Sequence, residues 1–187
     1  MKLELPFEVK PYVISQRWGN YDPIYKQFGF SHHNGEDVLP GEGKAVFAPF
    51  DYEVVWSKWM PNGGGNVLGV LSLQEYDGPK KKPAYVLIDF LHLESFKVKV
   101  GTKGKTGDLL AIADNTGFST GPHTHIQYRW VYKKNASLID VEKNDAHNSF
   151  DPAPYRTGVY AKTIGTVSLL QKLVLALSTL RALQHSK

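Results

Sequence analysis

From residue 45 to residue 132 the apolar positions fall in short runs separated by turn residues, with no helical period between them. The runs are KAVFAPF (44–50), YEVVWSKW (52–59), NVLGVLSLQEY (66–76), AYVLIDFLHL (84–93), DLLAIAD (108–114) and THIQYRWVY (124–132). Val, Ile, Leu, Tyr and Trp dominate them, and glycine, proline, asparagine and aspartate gather at 40–43, 61–65, 77–83, 101–107 and 115–122. Runs of this kind form strands, and this spacing predicts a mostly β fold, an antiparallel sandwich or open barrel. Residues 1–30 add two strand-like stretches, KLELPFEV and YVISQRW, and a turn-rich lead-in, YDPIYKQFGF.

The pattern changes near the C-terminus. Leu169, Leu173, Ala176, Leu180 and Leu183 lie on a heptad seam, widened by Leu170, Val174 and Leu177, so residues 164–185 predict an α-helix. Lys172, Ser178, Thr179 and Arg181 interrupt the stripe and make it a poor membrane span. Packing on its own domain and pairing with a partner helix or a second copy remain open for it, with contact at a membrane surface behind them. The expected division is a domain over 1–160, its motifs within about 25–155, and a leucine-rich helix over 161–187.

Composition narrows the chemistry. A chain of 187 residues fits one domain with a short appendage, and 42% hydrophobic with 21% charged residues is ordinary globular composition. Cysteine is absent, which removes disulfides, thiolate metal sites and cysteine nucleophiles; any metal must be held by His, Asp or Glu. The net charge of +4 suits an anionic surface without choosing one. Basic residues are scattered, with no base-reading motif, so nucleic acid is not an expected partner. Lys80, Lys81 and Lys82 read as a solvated hairpin tip or a contact with an anionic polymer. The start, MKLELPFEVKPYVISQ, has no apolar h-region, so neither a signal peptide nor a membrane span is expected there.

The seven histidines are His32, His33, His92, His123, His125, His147 and His185. In an extended segment His33, Gly35 and Asp37 share one face, with the glycine leaving room between an imidazole and a carboxylate. His32 and Glu36 form a competing pair on the opposite face. In Gly121-Pro122-His123-Thr124-His125 a rigid approach leads into a strand that sends both imidazoles to one side, with Thr124, Ile126 and Tyr128 on the other. His92, inside the apolar run FLHL, reads alone as a satisfied core histidine and gains weight from the other two groups. Three ligands with one open position and two further histidines suffice for metal-assisted hydrolysis. Shared ligation requires the imidazoles at 33 and 125 to converge to within about 6 Å.

These elements resemble the lysostaphin-type zinc endopeptidases, or LytM-like domains. The matching residues are His33-x-Gly35-x-Asp37, Gly63-Gly64-Gly65-Asn66-Val67, His92-Leu93, Val100-Gly101 with Lys105-Thr106-Gly107-Asp108, and the segment from Asn115 to His125, with Phe150-Asp151-Pro152 closing the domain. The resemblance implies one Zn2+ per chain on His33, Asp37 and His125. It implies that His92 and His123 activate water and stabilise the oxyanion, and that the substrate is the peptide part of peptidoglycan, at a cross-bridge or stem amide. Two departures stand out: Glu36 occupies a position the family fills with an apolar residue, and the hairpin between Gly65 and His92 is long. Glu36 is expected either to face solvent or to perturb the site. An envelope target without a signal peptide leaves a phage-encoded protein, unconventional export or an incomplete chain. The rival readings are a non-catalytic wall-binding or regulatory module and a structural component of an envelope or phage assembly.

Overall fold

The structure, a computed structural model, describes residues 1–141, 144 and 148–161. The helix expected over 164–185, with its seam and the 161–187 appendage, lies outside the described residues, as do His147 and His185. The strands are β1 (Leu3–Leu5), β2 (Ile14–Gln16), β3 (Glu36–Val38), β4 (Ala45–Phe47), β5 (Tyr52–Met60), β6 (Gly65–Ser72), β7 (Tyr76–Asp77), β8 (Pro83–Phe96), β9 (Lys103–Gly104), β10 (Leu109–Ala113), β11 (Thr124–Lys134), β12 (Ser137–Asp140) and β13 (Arg156–Tyr160). Short 3-10 turns occupy Pro23–Phe28, Pro79–Lys81 and Ala153–Tyr155.

The expected mostly β, antiparallel architecture is what the chain adopts. One sheet runs β2-β3-β11-β8-β6-β5-β9 and stays open at both ends, with β10 joining β4 to β8, β12 flanking β11 and β7 flanking β8. A separate parallel pair joins β1 to β13. Lys80, Lys81 and Lys82 are exposed at the hairpin tip. Among the described residues no helix is long and apolar enough to cross a membrane.

Alternation assigns each face its task. On β11, Ile126, Tyr128 and Trp130 enter the main core with Val38, Val54, Leu68 and Phe90. The opposite face carries His125, Gln127, Arg129 and Val131. Its far half is closed by a smaller cluster of Leu71, Leu87 and Val131 under Trp56, Tyr85 and Leu138. Burial on both faces is why β6 and β8 read as continuous apolar runs.

Beside that cluster the buried carboxylate of Asp89 accepts from the Trp56 indole N–H at 2.7 Å and pairs with Arg129 at 3.0 Å. Arg129 reaches Asp140 at 3.2 Å and lies over the Trp56 ring, 5.6 Å from its centre. The indole crosses Gly69 so closely that a Cβ there would lie 2.2 Å from its nitrogen. Gly69→Ala is therefore expected to lower stability by about 1–3 kcal/mol through overpacking. Urea denaturation measures the loss, and a red shift in tryptophan emission reports the indole leaving Asp89.

Candidate metal centre

Asp37 on β3 and His125 on β11 are directly opposite in the antiparallel ladder, which sets their side chains next to each other. Asp37 Oδ1 lies 3.0 Å from His125 Nδ1. His33 arrives from the extended segment before β3 and places Nε2 3.2 Å from the same oxygen and 3.0 Å from His125 Nδ1. The two imidazoles thus converge as shared ligation requires. A Cβ at residue 35 would sit 2.6 Å from His125 Nε2 and 2.5 Å from the Ile126 carbonyl oxygen, so only glycine lets the segment close on β11. His32 turns elsewhere: its Nδ1 is 2.7 Å from Ser31 Oγ, and its ring meets Trp18 edge-on.

Glu36 does not face solvent. It points to the core side of β3, only 1% exposed, with Arg156 2.9 Å away. Burial pushes its carboxyl up, and Arg156 opposes that shift. Asp37 behaves in the opposite way: burial acts against its charge, but the His125 and His33 imidazoles beside it hold its carboxyl well below the usual range.

The triangle fits a divalent ion. One carboxylate and two imidazoles are an ordinary zinc donor set, and edges of 3.0–3.2 Å approximate a tetrahedral face for bonds of about 2.0–2.1 Å. The tautomer of His33 suits ligation as well. Its Nδ1 lies 3.0 Å from the Arg17 carbonyl, which can only accept, so the proton sits there and the Nε2 lone pair faces the triangle.

His92 reaches this side through a bulge. Leu68 pairs with Phe90 and Asn66 with Leu93, so Leu91 and His92 together oppose Val67 alone. His92 takes the left-handed conformation, φ 63°. Its N–H donates to the Gly64 carbonyl at 2.7 Å and its Nδ1–H to the Thr116 carbonyl at 2.7 Å. Burial pulls its pKa down to about 4, against that hydrogen bond. His123, just before β11, lies with Nδ1 2.8 Å from the Gly121 carbonyl and 3.1 Å from Ser119 Oγ, and with Nε2 3.6 Å from Asp37 Oδ1. The His92 and His123 rings are 4.6 Å apart. All five predicted residues therefore share one place.

The glycine-rich turn and the 115–122 loop are fitted to one another. Phe118 N–H donates to the Gly63 carbonyl at 2.7 Å, and a Cβ on Gly117 would lie 2.2 Å from Gly65 N.

Sequence reasoning missed Tyr25. It stacks on His33 with ring centres 5.4 Å apart, and burial and Asp37 both push its phenol up, keeping it protonated. It stands on the 3-10 turn that Asp22 caps, where the sequence shows only a turn-rich stretch. Phe28 on the same turn meets Phe118 across the rim. An open cleft of about 550 Å3 adjoins Asp37 and His123, lined by Ser15, Gln16, Asn20, Leu39, Thr120 and Pro122.

The profile of Peptidase family M23 matches residues 31–140. The chain is 34% identical over 107 residues to the glycyl-glycine endopeptidase ALE-1 of Staphylococcus capitis, covering 57% of this chain and 27% of that protein. It is 30% identical over 149 residues to lysostaphin of Staphylococcus simulans, covering 79% of this chain and 26% of that protein. The solved catalytic domain of lysostaphin from Staphylococcus simulans aligns at a TM-score of 0.57 and 26% identity, covering 77% of this chain and 91% of that one. This chain spans about a quarter of the length of the curated relatives it matches.

A pH dependence follows from His92. Its folded pKa of about 4 lies below the ordinary value of 6.5, so the unfolded chain takes up the proton first as pH falls. Stability is full above about 6.5 and is lost between there and about 4, with this residue supplying roughly 3 kcal/mol of the change. His125 shifts in the same direction through burial. Urea midpoints of chelator-treated protein across this range check it, and His92→Asn is expected to flatten the profile.

Proposed function

The chain belongs to peptidase family M23, and from that premise we propose that it is a zinc endopeptidase acting on the peptide part of peptidoglycan, at a cross-bridge or stem amide. The observation that carries the reading is the convergence of His33, Asp37 and His125 with edges of 3.0–3.2 Å, flanked by His92 and His123. The relatives named as a glycyl-glycine endopeptidase and as lysostaphin support the substrate class.

His33, Asp37 and His125 would hold the zinc. When bound, it supplies a Lewis acid that polarises a peptide carbonyl and brings the pKa of a water toward about 7. The chain's own residues do the rest. With the Nδ1 proton of His92 committed to the Thr116 carbonyl, its Nε2 is left as the proton-accepting atom. The same holds for His123 against the Gly121 carbonyl. One ring of the pair takes the proton of the attacking water. The other, entering the cycle protonated on both nitrogens, donates from Nε2 to the oxyanion that develops on the scissile carbonyl, and the first ring then passes its proton to the leaving amine. The cleft lined by Gln16, Asn20 and Thr120 offers amide and hydroxyl groups to the peptide on one side of that bond.

His125→Ala is expected to lose both bound zinc and hydrolysis of purified wall. His123→Ala is expected to keep about one zinc per chain while turnover falls by at least about 100-fold, the usual scale of a lost proton-transfer group. Metal analysis and mass spectrometry of released muropeptides measure both, and wild-type turnover by His123→Ala would refute the assignment. Chelation is expected to abolish activity, and added zinc to restore it.

A further inference from the structure

We propose that Arg156 is a positioning residue for the metal centre, acting through Glu36 from the far side of β3. The inference rests on the reading of His33, Asp37 and His125 as the ligand set. It goes beyond that reading, because Arg156 lies outside residues 31–140, the segment matched to the family.

The argument starts from the period of a strand. Glu36 and Asp37 are neighbours on β3, so they project to opposite faces: Asp37 toward His125, Glu36 into the core opposite Ile126. A rotation of β3 that carries one side chain outward carries the other with it. β3 is three residues long and held by β2 on one edge and β11 on the other. Two side chains, Glu36 and Val38, fix its core face, so its orientation depends on what Glu36 finds there as well as on the packing of Val38.

Glu36 finds Arg156. The side chains are 2% and 15% exposed, and Arg156 Nη2 is 2.9 Å from Glu36 Oε1. Arg156 opens β13, which pairs in parallel with β1, opposite Leu3. The Thr157 hydroxyl contacts the Glu4 carboxylate, and the Tyr160 hydroxyl donates to the Val9 carbonyl at 2.9 Å. The N-terminal segment thus anchors the strand that presents the guanidinium. A carboxylate buried without its counter-charge is strongly unfavourable, whereas removing both charges together is tolerated. Without Arg156, a Glu36 that keeps its charge turns out of the core, and β3 then draws Asp37 away from His125.

The test uses the full chain. The readouts are the zinc dissociation constant, from competition with a chromogenic chelator, and the melting temperature of the metal-free protein. Arg156→Met is expected to weaken zinc binding by about 10-fold or more, the scale for losing an orienting partner of a metal ligand. Arg156→Lys keeps the charge and is expected to bind within about threefold of wild type. The double variant E36V/R156M removes both charges and is expected to return to within about twofold.

Wild-type zinc affinity in a folded Arg156→Met protein, even with a lowered melting temperature, overturns the proposal, because the pair would then serve stability alone. A double variant that binds zinc as weakly as the single also overturns it, because Arg156 would not be acting through Glu36. If Arg156→Met does not fold, Arg156→Gln, which removes the charge and keeps polar donors, takes its place under the same limits. A wild-type protein that takes up no zinc refutes the ligand assignment and this inference with it. A wild type that binds zinc and hydrolyses wall, beside an indifferent Arg156→Met, refutes the positioning alone.

Discussion

Three electron-rich atoms within 3.0–3.2 Å of one another dominate this protein. Two imidazole nitrogens and a carboxylate oxygen at that separation repel unless a cation or a shared proton sits among them. The surrounding structure forces the approach. The ladder places Asp37 against His125. Gly35 lets the preceding segment lie against the His125 ring. The Arg17 carbonyl fixes the proton of His33 on the nitrogen facing away. Each feature is unexceptional alone; together they leave a focus of lone pairs that could hold a metal ion.

The second pair of histidines is held by different means. His92 occupies a left-handed conformation that a side-chain-bearing residue adopts at a cost of about 1–3 kcal/mol. Its backbone bond to Gly64 and its ring bond to Thr116 offset that strain. Thr116 in turn donates to the Leu93 carbonyl and accepts from Asn66 N–H. The glycine-rich turn, the bulge and the 115–122 loop are therefore one construction. The cost of the bulge is what brings a ring from the central strand to the metal side.

These two mechanisms explain what the sequence reveals. The strand runs were legible because apolar content and turn residues are local signals. The His33, Gly35, Asp37 and His123, His125 sets were legible because period two carries over from chain to sheet. His92 was ambiguous for a physical reason. Counted by simple alternation from Phe90 it falls on the core face, and only the two-against-one pairing opposite Val67 turns it over. No residue type announces that bulge. Tyr25 was missed because its position comes from a capped turn folding back onto His33, a contact without periodicity. Glu36 was visible as an oddity, but its partner stands on the last described strand, and nothing local links them.

Glu36 and Asp37 show how little residue type decides by itself. Both are carboxylates, adjacent in sequence and largely removed from water, and burial raises the pKa of each. On one face two imidazoles reverse that shift and keep the carboxylate charged. On the other, Arg156 opposes the shift, and the carboxyl stays above its ordinary value. A strand only one side chain thick cannot hold a charged cluster on one face while its other face is free to reorganise. An apolar residue at position 36 would secure the second face by packing alone. An acid there needs a partner from elsewhere in the chain, and β13 provides it. The geometry of the metal side therefore extends, through a single strand, to residues well outside the motifs that identify it.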